Sequence, residues 1–185
     1  MNLKGYNLNW LKEVLKKDER LKYVFFWGHT PHKDGILTHT CLSQWWPCEF
    51  TDEGNLFKST EHWMMYQKAM LFKDETIAQE ILACEKPAEA KALGRRVSNF
   101  DHATWLEHRM PIVIEGNRLK FSQNEDLKTY LLNTKDRILV EASPVDEIWG
   151  VGLAADSNKI EDPTQWRGLN LLGFALMEVR DLLKQ

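Results

Sequence analysis

The sequence predicts an α+β domain that is mostly helical and carries a small sheet built from distant segments. Three observations support this fold class. Apolar residues recur at helical spacing through most of residues 60–132, short strand-like runs lie far apart at 23–27 and 138–142, and an amphipathic segment closes the chain at 171–183.

The first elements follow from local patterns. Leucines among lysines at residues 8–22 predict an amphipathic helix. The aromatic run at 23–27, stopped by Gly28, predicts a buried strand. Residues 29–50 combine turn chemistry with no clean period, which predicts a loop with one or two short strands. The Asp-Glu-Gly-Asn sequence at 52–55 predicts a tight hairpin turn.

Helices are predicted for most of the remaining chain. Ser59 and Thr60 suit a helix N-cap, so a helix is expected from there to about residue 73. Further helices are predicted at residues 74–83, 87–93 with Gly94 as the stop, 104–115 with Pro111 inside, and 119–132. A strand at 138–142 and a closing helix at 171–183 complete the predicted order.

Length and composition limit the class of protein. The 185 residues have the length of one domain, so a single domain is expected over residues 1–185, with residues 1–22 as an N-terminal helical extension. A hydrophobic fraction of 43% and a charged fraction of 28% are those of a folded, water-soluble chain. Disordered, collagen-like and disulfide-scaffold proteins are therefore disfavoured.

Charge and cysteine usage limit the partners. The formal net charge of -3 supplies no basic field for general nucleic-acid binding. Residues 1–22 hold no readable secretory signal or membrane span, so a cytoplasmic protein without a membrane partner is expected. The three cysteines and six histidines lack zinc or disulfide spacing, which predicts reduced thiols, no metal and no other cofactor.

Two charged residues of the predicted helix at 60–73 are candidates for chemistry. Large apolar residues surround this helix, so Glu61 and Lys68 are unusual there. A spacing of seven residues places them nearly in line, about 10 Å apart along the axis. A lysine in apolar surroundings loses hydration, and its free amine can then attack a carbonyl while the acid moves protons. Alternatively, Glu61 complements the helix N-terminus and Lys68 reaches to water.

Two further segments are compatible with ligand binding. After the predicted strand at 138–142, Asp146, Trp149 and Gly150 offer a carboxylate, a stacking face and close backbone approach. A core tryptophan on a turn capped by the aspartate explains the same pattern, and both interpretations stay open. Arg95 lies at a predicted helix end, where its planar guanidinium suits phosphate, although solvated arginines are common at such positions.

Taken in order, many short motifs resemble a single family. They are LSQWWP at 42–47, FKSTEH at 57–62, YQKA at 66–69, AKALGR at 90–95, KFSQN at 120–124, LVEAS at 139–143, Asp146 with WGVG at 149–152, and WRGLNLLG at 166–173. This series is similar to that of the NADAR family, also called YbiA-like, from about residue 25 to 182. The chain departs from the family at Gln44 and Trp45, where members more often have Asn-Phe.

The resemblance implies a YbiA-like fold and an enzyme that hydrolyses N-glycosyl bonds. The implied substrates are small phosphorylated ribosides, the ribosylaminopyrimidine 5′-phosphates of early riboflavin biosynthesis, and the products are ribose 5-phosphate and an aminopyrimidine. Other members resemble hydrolases that remove ADP-ribose from modified guanine, and for these a nucleic acid is the partner. A non-catalytic module that binds ADP-ribose or NAD is the third possibility.

The resemblance also implies roles for particular residues. The implied catalytic residues are Glu61, Lys68 and Asp146. Either Lys68 forms a Schiff base with the sugar, or Glu61 activates water directly while Asp146 steadies a cationic sugar. The implied substrate-binding residues are Trp149, Trp105, Arg95, Trp46 and Gly150, with Trp149 and Trp105 stacking on the base and Arg95 holding phosphate.

Overall fold

The computed structural model describes residues 3–17 and 20–184. Within these ranges the chain forms seven α-helices and four short strands, which is the content of the predicted α+β class. The helices are α1 (Leu8–Leu15), α2 (Thr60–Leu71), α3 (Glu75–Ala83), α4 (Pro87–Gly94), α5 (His102–Gln123), α6 (Glu125–Leu132) and α7 (Leu171–Leu182). The strands are β1 (Tyr23–Phe26), β2 (Phe50–Asp52), β3 (Asn55–Phe57) and β4 (Ile138–Glu141).

The chain divides into two compact units. One unit combines Met1–Ser43 with Asp126–Gln185, and the other is the intervening segment Gln44–Glu125. The single domain expected over residues 1–185 and its N-terminal extension stay predictions. Among the described residues, no helix has both the length and the apolar character needed to span a lipid bilayer.

In the first unit, two distant strands pair in parallel. Tyr23 of β1 lies opposite Ile138 of β4, and Phe26 lies opposite Glu141. The first three residues of β4 are buried, as expected for a run of branched residues covered on both faces. Helix α7 packs against β4. The prediction of a small sheet from distant segments is therefore confirmed.

Asn170 connects the edge of this sheet to α7. Its backbone is left-handed, with a φ of 54°, a conformation that asparagine tolerates better than most residues. The Oδ1 atom accepts from the Glu141 N–H at 3.0 Å, and Nδ2 donates to the Leu139 carbonyl at 2.9 Å. The buried side chain thus satisfies backbone groups of β4 that would otherwise need another strand.

Gly173, in the first turn of α7, is required by this close packing. A Cβ atom there would lie 2.1 Å from the Leu139 carbonyl oxygen and 2.6 Å from Asn170 Nδ2. Gly173→Ala is therefore expected to lower the free energy of unfolding by about 1–3 kcal/mol, although alanine usually favours a helix. Urea denaturation measures the change, and Thr129→Ala on an exposed position of α6 is the control. A stabilised Gly173→Ala protein would contradict the expectation.

In the second unit, α2 packs against α3, α4 and α5. The Ser59 hydroxyl accepts from the His62 N–H at the start of α2, as the predicted N-cap requires. Strands β2 and β3 form an antiparallel hairpin, and its turn residues Glu53 and Gly54 have φ values of 46° and 81°. Two positive φ values are typical of the tight hairpin turn that was predicted at 52–55.

Two predictions for the first third of the chain were wrong in detail. The helix predicted at 8–22 ends at Leu15, and residues 18–19 lie outside the described residues. The loop predicted at 29–50 holds a 3-10 helix at His39–Leu42 instead of short internal strands, and strand structure begins only at Phe50. Short irregular segments lack the periodicity on which such predictions depend.

The predicted break between helices at 115–119 was also wrong. Helix α5 is continuous through Gly116, and the chain leaves the helix at Asn124. A Cβ atom at position 116 would lie 2.2 Å from the Trp63 ring, so this glycine serves close packing and does not end the helix. The Trp63 Nε1 atom donates to the Ile112 carbonyl at 2.9 Å, which holds the indole against this part of α5.

Candidate active site

Glu61 is a nearly buried carboxylate in the first turn of α2. Its exposed fraction is 3%. Its backbone N–H donates to the Gln44 carbonyl at 3.0 Å, and the Thr60 hydroxyl donates to the same oxygen at 3.1 Å. The helix N-terminus stabilises a negative charge at this position. This burial in the first turn of α2 keeps Glu61 a candidate for proton transfer.

Lys68 lies in the last turn of α2 in a cluster that we call the lysine site, formed by Lys68, Gly94, Phe100 and Trp105. The Nζ atom donates to the Gly94 carbonyl at 2.7 Å. It lies 4.4 Å from the centroid of the Phe100 ring and 5.7 Å from that of Trp105. The amine is therefore held by one carbonyl and two aromatic rings.

Burial changes the acidity of the lysine. Loss of hydration lowers the pKa of Lys68 below its ordinary value. The carbonyl and the ring faces favour the ammonium form and oppose this effect. A lowered pKa leaves a larger fraction of free amine near neutral pH than an exposed lysine has, and only the free amine is a nucleophile. The side chain is half-buried and hydrogen-bonded, and the alternative in which Lys68 reaches to water stays open.

Gly94 allows the end of α4 to approach α2. A Cβ atom at this position would lie 2.0 Å from Met65 Sδ and 3.2 Å from its Cβ. Any larger residue would push the two helices apart and move the carbonyl that binds Lys68. The sequence predicted Gly94 as a helix stop, and the close contact with Met65 is an additional reason for glycine.

Two aspartates anchor the turn at 98–101 that carries Phe100. The Asp74 Oδ2 atom accepts from the backbone N–H and the hydroxyl of Ser98, both at 2.8 Å. Asn99 follows with a φ of 54°, and Asp101 then caps α5. Both ends of the turn are thus held by carboxylates, which limits the positions available to the Phe100 ring.

The sequence analysis did not identify Phe100. Its ring packs edge-on against Phe72 at 5.2 Å while 44% of the residue remains exposed. A large, partly exposed aromatic side chain over a lysine amine has the properties of a ligand-contacting residue. In the sequence, Phe100 lies between an asparagine and an aspartate that suits a helix N-cap, which indicates a turn. Nothing in the neighbouring residues indicates that the ring lies against Lys68.

The other predicted binding residues of this unit occupy different environments. Trp105 is half-buried on α5, with its ring at the lysine site. Arg95 is exposed at the C-cap of α4, directly after the glycine that binds Lys68. Trp46 is only 7% exposed, so its ring is mostly packed inside the protein. The structure therefore brings Lys68, Trp105 and the backbone next to Arg95 together.

Asp146 shapes the loop that follows β4. Its Oδ1 atom accepts from the N–H groups of Ile148 and Trp149 at 2.8 and 2.7 Å. The Asp146 N–H in turn donates to the Ser143 hydroxyl at 3.2 Å. This is the turn-capping arrangement that the sequence left open, and it orients the half-buried Trp149. A direct role for Asp146 or Trp149 with substrate stays a prediction.

Gly150 is explained by packing within the same unit. The residue is buried, and its carbonyl accepts from the Asn170 N–H at 3.0 Å. A Cβ atom on it would lie 2.8 Å from the Glu141 carbonyl oxygen. Close backbone approach thus occurs between protein segments, and contact of Gly150 with a ligand stays a prediction.

A pair of variants separates the cap from the charge of Asp146. Asp146→Asn keeps an acceptor oxygen, so Tm is expected to stay unchanged while kcat falls because the predicted carboxylate role is lost. Asp146→Ala is expected to lower kcat and also to destabilise the protein by about 0.5–2 kcal/mol, since the cap disappears. Calorimetry and a turnover assay measure both quantities. Full activity of Asp146→Asn would show that Asp146 only caps the turn and that its charge has no part in catalysis.

Side chains that commonly bind metals were compared over the part of the chain that the structure describes. Within the described ranges, no three His, Cys, Asp or Glu side chains are placed to hold a metal ion. Cys41, Cys48 and Cys84 form no disulfide bond with one another. The groups that meet at the lysine site are an amine, a backbone carbonyl and two aromatic rings.

Comparison with known proteins identifies the family. A family model described as the NADAR domain matches residues 25–184, from within β1 to just beyond α7. The chain belongs to the NADAR family. This match confirms the resemblance inferred from the ordered motifs.

Individual NADAR proteins extend the comparison. The chain is 44% identical over 165 residues to N-glycosidase R617 of Acanthamoeba polyphaga mimivirus, with 86% of this chain and 95% of that protein covered. It is 32% identical to riboflavin biosynthesis protein VVA0006 of Vibrio vulnificus, covering 80% of this chain and 36% of that one. The NMR structure of the E. coli protein YbiA matches with a TM-score of 0.68 and 24% identity over 90% of this chain and 87% of that chain.

The YbiA structure confirms the predicted fold class. The name of the viral relative confirms the predicted enzyme class, a hydrolase acting on N-glycosyl bonds. None of the comparisons assigns a role to a particular residue of this NADAR chain, so the predicted roles at the lysine site remain to be tested.

Proposed function

We propose that the protein hydrolyses the N-glycosyl bond of ribosylaminopyrimidine 5′-phosphates, early intermediates of riboflavin biosynthesis. The half-buried amine of Lys68, with its lowered pKa and its two aromatic neighbours, is the observation that carries the proposal. A relative named as an N-glycosidase and another named as a riboflavin biosynthesis protein support the reaction and the substrate class.

The proposed first step is exchange of one imine for another. The ring oxygen of the N-riboside takes up a proton from solvent and the C1′–O4′ bond breaks, which leaves a hydroxyl at C4′ and an iminium between C1′ and the exocyclic nitrogen. The Lys68 amine adds to C1′, a proton moves from Nζ to the exocyclic nitrogen, and the C1′–N bond breaks. The aminopyrimidine leaves as a neutral amine, and C1′ remains joined to Nζ as a protonated Schiff base.

Water completes the reaction. It adds to C1′ of the Schiff base, one of its protons returns to solvent and the other moves to Nζ, the C1′–Nζ bond breaks, and open-chain ribose 5-phosphate leaves with an aldehyde at C1′. The lysine keeps its electron pair and can start another cycle. No net oxidation or reduction occurs, so no redox cofactor is required.

The remaining residues have proposed roles in the same reaction. Glu61 moves protons to the leaving amine and from water. Trp105 stacks on the flat base, and Arg95 binds the 5′-phosphate from its exposed position at the end of α4. The family resemblance adds Asp146, Trp149, Trp46 and Gly150, whose roles stay predictions.

A direct route is the alternative chemistry. Here Glu61 activates a water molecule that attacks C1′ without a covalent intermediate. Sodium borohydride separates the two routes because it reduces a Schiff base to a stable secondary amine. A ribose 5-phosphate adduct mapped to Lys68 supports the covalent route.

The activity is tested by incubating the protein with a ribosylaminopyrimidine 5′-phosphate and measuring ribose 5-phosphate. Catalytic release above the spontaneous rate is the expected result. DNA carrying ADP-ribosylated guanine is assayed in parallel, and turnover of that substrate alone would replace the proposed substrate class. Binding of either compound without turnover would contradict the proposal and indicate a binding module.

A further inference from the structure

Phe100 contacts the atom on which the proposed intermediate forms. Its ring centroid lies 4.4 Å from Lys68 Nζ, closer than the 5.7 Å of Trp105. In the proposed mechanism, Nζ carries the positive charge of the Schiff base after the aminopyrimidine has left. A cation within about 6 Å of a ring centroid is attracted by the negative face of the ring.

We propose that Phe100 is a catalytic residue whose ring face stabilises the cationic Schiff base on Lys68. The inference rests on the proposed covalent route, and it adds a residue for which the motifs predicted no role. Because the reacting free amine is neutral, the attraction to the ring increases as the positive charge develops. Only an interaction that strengthens towards the transition state accelerates the reaction.

The surroundings of Phe100 hold its ring in this position. Asp74 binds Ser98 on one side of the turn, and Asp101 caps α5 on the other. Phe72, which is 8% exposed, packs against the Phe100 ring at an interplanar angle of 62°. A fixed ring does not need to reorganise when the charge forms, which is the condition for electrostatic stabilisation in an active site.

The position also explains why an aromatic residue is left partly in water. Phe100 is 44% exposed, although large apolar side chains are usually better covered. A residue needed only to fill the space beside Phe72 could be covered more completely. Partial exposure of the ring beside the Lys68 amine is compatible with a substrate that approaches Nζ.

The test changes the electrostatics of the ring with little change in its shape. Fluorine withdraws electron density from the face, so mono-, di- and trifluorophenylalanine at position 100 weaken cation binding stepwise. Phe100→trifluorophenylalanine is expected to lower kcat/KM by about 5- to 30-fold, equal to about 1–2 kcal/mol. The rate is measured with a ribosylaminopyrimidine 5′-phosphate on the high-pH plateau, where Lys68 is a free amine.

The same replacement at Phe50 is the matched control. That ring is buried against Phe57 and Trp63, with centroids at 5.6 and 6.4 Å, and it has no proposed role in the reaction. The Phe50 series is expected to leave kcat/KM within about twofold. Phe100→Trp, which keeps a strong ring face, is expected to retain more activity than Phe100→Leu.

A second readout distinguishes failure of this inference from failure of the proposed function. Borohydride should trap less adduct on Lys68 as fluorine is added at position 100. If the unmodified protein gives a Lys68 adduct but fluorination of Phe100 leaves kcat/KM unchanged, the role of Phe100 is overturned. The covalent route is still supported in that case. If the protein turns over substrate without any adduct and Lys68→Ala is fully active, the covalent route and this inference both fail.

Discussion

Replacing Lys68 with methionine is expected to lower kcat by about 1,000-fold or more. Methionine has a similar length and suits half-buried apolar surroundings, so the fold should persist while the nucleophile is lost. Ribose 5-phosphate release measures the rate, and circular dichroism checks the fold. The control is Lys73→Met, which removes an exposed lysine just beyond the end of α2.

The same experiment has a clear opposite result. A Lys68→Met enzyme within tenfold of the original rate would favour direct attack by water.

If the amine is the nucleophile, kcat/KM should rise with pH through the lowered pKa of Lys68, below the ordinary lysine value of 10.5. Between those two values the unfolded chain binds more protons, so stability should also rise with pH in that window.

Replacing Glu61 with glutamine is expected to lower kcat by about 100- to 10,000-fold while substrate affinity is kept. Glutamine fills nearly the same volume and can still form hydrogen bonds, but it cannot carry a proton between the leaving amine and water. Steady-state kinetics measure kcat, and calorimetric titration with an inert aminopyrimidine measures affinity.

Glu75→Gln is the matched control for the helix-terminus alternative. Glu75 lies in the first turn of α3, as Glu61 does in α2, but it is exposed. If Glu61 only complements the helix N-terminus, both variants should be slightly less stable and equally active. Loss of turnover in Glu61→Gln alone supports the acid-base role, and unchanged turnover removes Glu61 from the mechanism.

Elements whose ends are fixed by interactions between residues close together in the sequence were predictable from the sequence. The start of α2 at Ser59, the start of α3 at Asp74 and the tight turn at 52–55 each depend on bonds between residues a few positions apart. The strand β4 was predictable for a related reason, because a continuous run of branched apolar residues is typical of a buried strand. Glu61 and Lys68 were candidates because two charged residues seven positions apart on an otherwise apolar helix can be recognised without tertiary information.

Other features depended on partners far along the chain. Gly116 has the appearance of a helix break, and only the Trp63 ring beside it explains why α5 continues. The capping role of Asp146 was one of two interpretations until its bonds to the following N–H groups were known.

The sequence by itself determined the family and the order of most elements, and it proposed Glu61 and Lys68 as candidates, because periodicity, caps and motifs are local properties. The tertiary structure alone decided that Lys68 meets the Gly94 carbonyl, 26 residues away, and the ring of Phe100. Such contacts arise when helices pack and turns are anchored by distant carboxylates, and no local pattern records them. The acidity of the amine depends on this burial, so the chemistry of the lysine site is a product of packing.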